Sequence, residues 1–220
     1  MPADLSRRLT AEAAGTAMLL IAVVGSGIMA ERLAGGNMAV ALLANALATG
    51  AALVVLISIL SPISGAHFNP AVSFYFALRG EMTWRAAGRY GLVQIVAAIF
   101  GVWLTHLMFA MPVLEASTKL RDGLPQLLAE FIATMGLLAT IAGAIRFVPP
   151  STPILVGLYI TGAYWFTAST SFANPAITIA RAMTDSFSGI APSSAPGFIA
   201  AQLTAAAAAA FGLKWLFGKS

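Results

Sequence analysis

The sequence predicts an all-α membrane protein of six spanning helices and two shorter re-entrant helices, laid out as an inverted repeat. Three observations predict it. Of the 220 residues, 59% are hydrophobic and 9% charged, with a mean hydropathy of +0.87; a soluble domain carries about 25% charged residues. The tripeptide Asn-Pro-Ala occurs twice, as Asn69-Pro70-Ala71 and Asn174-Pro175-Ala176, each time where one apolar stretch breaks and a short one begins. The two halves also match in order: Ala11-Glu12 with Thr16 against Ala129-Glu130 with Thr134, then the tripeptides, then Gln94 against Gln202.

A hydrocarbon core about 30 Å thick needs roughly 20 apolar residues of helix. The first such stretch, about 9–30, follows Arg7 and Arg8. It is read as a retained span and not a cleaved leader, because Glu12 interrupts it and its apolar part is too long. Further spans are expected at about 38–61, 84–109, 125–147, 153–169 and 195–217. The fifth is short, bounded by Pro153 and by Ser169-Thr170-Ser171. Two pieces, about 69–79 and 175–184, are too short to cross and too apolar for exposed loops. A proline just inside a helix start, behind a capping asparagine, marks each as a helix N-terminus. Broken helices persist at membrane depth only where protein or a water-filled path surrounds them. The whole chain, 1–220, reads as one domain, with a first repeat over about 9–109 and a second over about 125–217. Three spans per half turn the second half upside down relative to the first.

Charge sets the expected orientation. With the N-terminus in the cytoplasm, that side holds Arg7, Arg8, Arg79, Arg85, Arg89, Arg146, Lys214 and Lys219, against Arg32, Lys119, Arg121 and Arg181 on the other. The excess follows the positive-inside rule, so both termini are expected in the cytoplasm of a multi-pass protein of the cell inner (plasma) membrane. The net charge of +4 has this use, and no basic run with interleaved aromatics suggests nucleic acid. Cysteine is absent, which removes disulfides, thiolate metal sites and cysteine nucleophiles. His67 and His106 lie in different elements with no further ligand nearby, so no metal or cofactor is expected; His106 is expected at the membrane interface. No catalytic triad or phosphate loop emerges, and an enzyme is not expected.

Inverting the halves brings the two short helices in from opposite faces, N-termini meeting near the bilayer centre. Each N-terminus presents unsatisfied N–H groups and about half a positive charge. Asn69 and Asn174 then cap the helices through their side-chain carbonyls and leave their NH₂ groups to donate to a passing solute. Two positive ends facing one path repel cations and interrupt a proton wire. The residues before each short helix, Ser64 to Phe68 and Thr170 to Ala173, are read as extended, their carbonyls lining the path. Gly65, Ala66, His67, Ser171 and Phe172 are the candidates. Glu12 and Glu130 are read as buried anchors that accept hydrogen bonds from those loops, with Gln94 and Gln202 sharing the bracing.

On these residues, over nearly its whole length, the chain resembles the aquaporin, or major intrinsic protein, family. The resemblance implies six tilted helices and two half-helices, a homotetramer with one pore per subunit, and passive conduction of water or small neutral solutes such as glycerol. It also implies a four-residue selectivity filter, falling by count from the motifs at Thr49, Gly162, Ser171 and Ile177. Family members usually carry arginine at the position of Ile177; here that arginine and the filter aromatics are missing, as is the aspartate often found at the position of Thr178. Losing arginine removes a fixed charge and five donors, so the filter is expected to be wide. Arg181, about one helical turn on, has two readings: it leans toward the outer mouth or, as long cations favour, it faces the outer surface or caps a loop. The aliphatic replacement, followed by Thr178-Ile179-Ala180-Arg181, is similar to the bacterial arsenic-associated subgroup, implying neutral trivalent and methylated arsenicals as solutes beside water and small polyols. The alternatives are a channel mainly for water or glycerol, or a secondary transporter.

Overall fold

The computed structural model describes residues 4–218 of the chain; Lys219, counted above with the cytoplasmic-side charges, lies outside them. Helix α1 spans Leu5–Leu33, capped by Asp4, whose carboxylate accepts from the Arg7 amide at 2.8 Å. Helix α2 (Met38–Ser64) starts at an Asn37 cap and stops at Gly65, which takes the left-handed conformation at φ 91°. The short α3 covers Pro70–Leu78 and α4 covers Trp84–Met108. The second half repeats the series: α5 (Leu124–Phe147), a 3₁₀ turn at Pro149–Ser151, α6 (Thr152–Phe166), the short α7 (Pro175–Arg181) and α8 (Ala195–Phe217).

Five of these helices, α1, α2, α4, α5 and α8, are long and apolar enough to cross a bilayer. Helix α6 has 15 residues, about 22 Å at 1.5 Å per residue. It stops three residues short of the expected end, because the chain must turn back at Thr167 to reach α7 at mid-depth.

Packing follows the repeat. Helix α1 lies against α2 and α4 in the first half, as α5 lies against α6 and α8 in the second, and α2 meets α6 across the middle. The short helices cross over: α3 packs on α8 as well as α4, and α7 on α4 as well as α8. Each half therefore holds the other half's short helix. At the α2–α6 crossing, Gly50 and Gly157 put backbone against backbone, so a Cβ on Gly157 would sit 2.6 Å from the Gly50 carbonyl oxygen. Close approach of this kind drives helix association in lipid, where no hydrophobic force acts between helices.

The molecule has two ends. The near end carries the start of α1 and the end of α8. The far end gathers the close of α1, the 109–123 connection and the turn after α7. There Asp185 accepts from the Thr118 amide at 2.8 Å and from its hydroxyl; these bonds, the amide's foremost, hold its carboxyl below the usual value. His106 is buried at this end and not interfacial, with Nδ1 2.6 Å from the Pro112 carbonyl oxygen and Nε2 2.8 Å from the Thr184 hydroxyl. Its neighbours belong to the folded-back 109–123 and 182–194 loops, which cover the end of α4.

The glycine contact yields a stability test. Gly157→Ala is expected to force α2 and α6 apart and cost about 1–3 kcal/mol, the usual range for overpacking. Gly212→Ala, where an added Cβ meets nothing within 4 Å, is expected to be neutral or mildly stabilising. Thermal unfolding of the detergent-solubilised protein measures both.

Candidate functional site

The site is built from the two Asn-Pro-Ala segments. Asn69 caps α3 by accepting the Ala71 amide at 2.8 Å, and Asn174 caps α7 by accepting the amides of Ala176 at 3.0 Å and Ile177 at 3.3 Å. Pro70 and Pro175 occupy the first helical position, where a missing N–H costs nothing. The side-chain NH₂ groups are not both free for solute, as the sequence suggested. Asn69 Nδ2 donates to the Ala173 carbonyl at 2.7 Å and Asn174 Nδ2 to the Phe68 carbonyl at 2.8 Å. One hydrogen of each amide thus ties the motif to its opposite number, and the second remains.

The loops ahead of the short helices are not extended. Gly65, Ala66 and Phe68 have φ of 91°, 50° and 49°, and Thr170, Ser171 and Ala173 have φ of 60°, 52° and 48°. The positive-φ residues fall at matching positions in both loops, four, three and one before each motif asparagine. Such conformations are costly for residues with a Cβ and persist only where surroundings over-determine them. The anchors do that. Glu12 accepts from the Ser64 hydroxyl at 2.6 Å and the His67 amide at 3.0 Å with one oxygen, and from the Phe68 amide at 2.7 Å and Gln94 Nε2 at 2.9 Å with the other. Glu130 accepts from the Phe172 and Ala173 amides, both at 2.8 Å, and from Gln202 Nε2 at 2.6 Å. All four bracing residues are fully buried. The left-handed turns leave the carbonyls of Gly65, Ala66, His67, Ser171 and Phe172 without a hydrogen-bond partner among the described residues, and all five residues line the central cavity.

That cavity, about 550 Å³, extends from Ser61 and Phe76 at the near end to Tyr164 and Arg181 at the far end, passing both asparagines. Its walls are helical stripes at every fourth residue: Thr49, Leu53, Ile57 and Ser61 on α2, and Thr152, Val156, Ile160 and Tyr164 on α6. Thr49, Ser171 and Ile177 line it; Gly162 does not. Position 162 falls between members of the α6 stripe, and a side chain there would meet Phe166. Tyr164, two residues on and so on the opposite face of α6, lines the cavity and its hydroxyl lies 3.3 Å from that of Thr49. Counting from the motif gives no sign of Tyr164, because a count ignores which face of α6 meets the cavity; the four-residue stripe was the signal that could have found it.

A family model described as Major intrinsic protein matches residues 2–161. The chain belongs to the major intrinsic protein family. It is 56% identical, over 97% of its length and 91% of the relative's, to Aquaglyceroporin AqpS of Rhizobium meliloti (strain 1021). It is 33% identical over 60% of its length to Aquaporin NIP1-4 of Oryza sativa subsp. japonica, of which the match spans 48%. The fold matches the X-ray structure of the aquaglyceroporin from Plasmodium falciparum with a TM-score of 0.75 at 17% identity, covering 97% of this chain and 99% of that one. Membership makes the chain a membrane channel and not an enzyme.

Arg181 takes the less favoured of its two readings and leans into the mouth. It is 3% exposed and lines the cavity at its far mouth. Its guanidinium carbon lies 3.4 Å from the centroid of the Phe172 ring, and Nε donates to the Ser188 carbonyl. It does hold a loop, but from inside the mouth and not from the outer surface. Arg121, on the 109–123 connection, lies 5.1 Å from the same ring and donates to the carbonyls of Gly189 and Ser169; burial lowers its pKa below the usual arginine value.

Glu130→Gln tests the anchors. It would turn one acceptor oxygen into a donor facing donors, leaving a loop N–H unpaired at about 1–3 kcal/mol. The variant is expected to unfold at lower temperature than Gln202→Ala, which deletes one donor to Glu130. Size-exclusion monitoring after stepwise heating reads the order.

Proposed function

We propose that the protein is a passive channel for small neutral hydroxylated solutes: water, small polyols, and trivalent arsenicals, including arsenite as As(OH)₃ and its methylated forms. The observation that carries this reading is Ile177. It follows the second Asn-Pro-Ala, lines the cavity and is buried, so an aliphatic wall stands where the family usually places a guanidinium. An aliphatic side chain takes no donor position from the lumen and leaves it wider. Arsenite, neutral near pH 7 and bearing three hydroxyls, then fits a path suited to glycerol. The name of the 56% identical relative, an aquaglyceroporin, supports polyols as the coarser class.

In this reading Asn69, Pro70, Ala71, Asn174, Pro175 and Ala176 form the central barrier to cations, with positive helix ends and one free amide hydrogen per asparagine facing the path. Thr49, Tyr164, Ser171 and Ile177 form the filter; Tyr164 replaces Gly162 in the set. The bracing pairs, Glu12 with Gln94 and Glu130 with Gln202, hold the loops whose carbonyls accept from solute. One channel domain, made of the two repeats, is taken to sit in the cell inner membrane with both termini cytoplasmic, as the arginine and lysine excess favours. Assembly as a homotetramer follows the family resemblance.

Stopped-flow light scattering on proteoliposomes tests the proposal by comparing water, glycerol, urea and arsenite gradients. Shrinkage by water loss with no arsenite re-entry would sink the arsenical reading, and saturable ion-coupled uptake would point to a transporter. Ile177→Arg is expected to cut arsenite flux by about tenfold, a barrier change near 1.4 kcal/mol, and water flux by less. Equal arsenite flux in the variant would remove position 177 from the constriction.

A further inference from the structure

The geometry points to a hydroxyl-binding subsite at the far mouth, made by the guanidinium of Arg181 and the hydroxyl of Ser171. It selects solutes carrying two or more hydroxyls. The inference rests on the channel reading above and adds to it the groups that recognise solute.

Arg181 is held in place at the wall of the path. Nε is taken by the Ser188 carbonyl and one face of the guanidinium by Phe172. Its terminal nitrogens have no hydrogen-bond partner, and it makes no ion pair, among the described residues. A buried guanidinium with unused donors needs an acceptor, and the cavity it lines is where one can come from. Stacking on an aromatic face, worth about 0.5–2 kcal/mol, fixes the plane and so the direction of those donors.

Ser171 supplies the second observation. It is 2% exposed, lines the same cavity, and its hydroxyl oxygen has no partner. Ser171 precedes Phe172 in the chain, so the orphan hydroxyl and the stacked guanidinium belong to one loop. A hydroxylated solute satisfies both: one oxygen accepts from Arg181 while another exchanges a hydrogen bond with Ser171. Water fills the two positions with two molecules, and a solute with a single hydroxyl reaches only one.

The repeat shows that this position is a built slot. Phe76 holds the same place relative to Asn69 as Arg181 does relative to Asn174, and His67 the same place as Phe172. In the first half Phe76 stacks on His67, centroids 4.9 Å apart at 16° between planes, and both line the cavity. The fold thus offers a flat group on an aromatic ring at each mouth. Only at the far one is the stacked group, Arg181 in place of Phe76, a charged donor.

The test measures glycerol, 1-propanol, arsenite and water permeability in proteoliposomes for the wild type, Arg181→Met, Arg181→Lys and Ser171→Ala. Size-exclusion profiles check that each variant is folded. Arg181→Met and Arg181→Lys are both expected to lower the glycerol-to-propanol permeability ratio about tenfold, since the lysine keeps charge but lacks the planar fork. Ser171→Ala is expected to lower it several-fold. Should Arg181→Met not fold, Arg181→Lys and Ser171→Ala decide, and wild-type ratios in both overturn the subsite. If the wild type passes neither glycerol nor arsenite, the channel reading itself fails, whatever the variants do. An Arg181-dependent flux of phosphate in place of glycerol would overturn neutral hydroxyls as the ligand.

Discussion

Everything at the centre of this molecule depends on satisfying backbone N–H groups where no helix can do so. Two buried carboxylates supply the answer. Glu12 takes the amides of His67 and Phe68, and Glu130 those of Phe172 and Ala173. Each unpaired N–H would cost about 1–3 kcal/mol, and bare carboxylates at that depth would cost far more. Together the two deficits cancel. The left-handed residues in both loops follow from this arrangement, since two successive amides must turn toward one side chain. Their carbonyls then point the other way, into the cavity.

The second dependence is between halves. Each short helix packs on the last span of the opposite repeat, and each motif asparagine donates to the carbonyl that precedes the other motif. The centre is therefore closed by contacts between residues far apart in sequence, with the α2–α6 glycine crossing as the third tie. Neither half has a complete site alone. The asparagine amides tie each motif to the other's loop, which is how two short helix starts are held end to end without a covalent link.

Much of this was legible in the sequence, for physical reasons that differ by element. The spans announce themselves by length and hydropathy. The short helices do so by the asparagine cap and the proline that follows it, and the anchors because a carboxylate inside an apolar run demands a partner. What escaped reading depended on phase and on tertiary surroundings. On α6 it is Tyr164 and not Gly162 that lines the cavity, because rotation about the helix decides which side chain reaches the lumen and counting along the chain does not. The loop conformation escaped because left-handed Ala66, Phe68 and Ala173 are poor in every local sense and exist only on account of the anchors. His106 was assigned to the membrane surface, and Arg181 to that surface or a loop cap ahead of the pore mouth, by the habit of polar side chains near helix ends; loops that fold back over the far end bury both.

The two mouths of the cavity are unlike: Phe76 over His67 at one, Arg181 over Phe172 at the other. Such a path is lopsided in its chemistry, yet it has no energy source to exploit that difference. For an uncharged solute the ratio of the two one-way flows through any passive conduit is set by the concentrations on either side, whatever lines it. The guanidinium at one mouth can change how soon the path saturates from that side, and which molecules compete there. It cannot make the protein an importer or an exporter, so the direction of traffic belongs to the cell's metabolism and not to the shape of this chain.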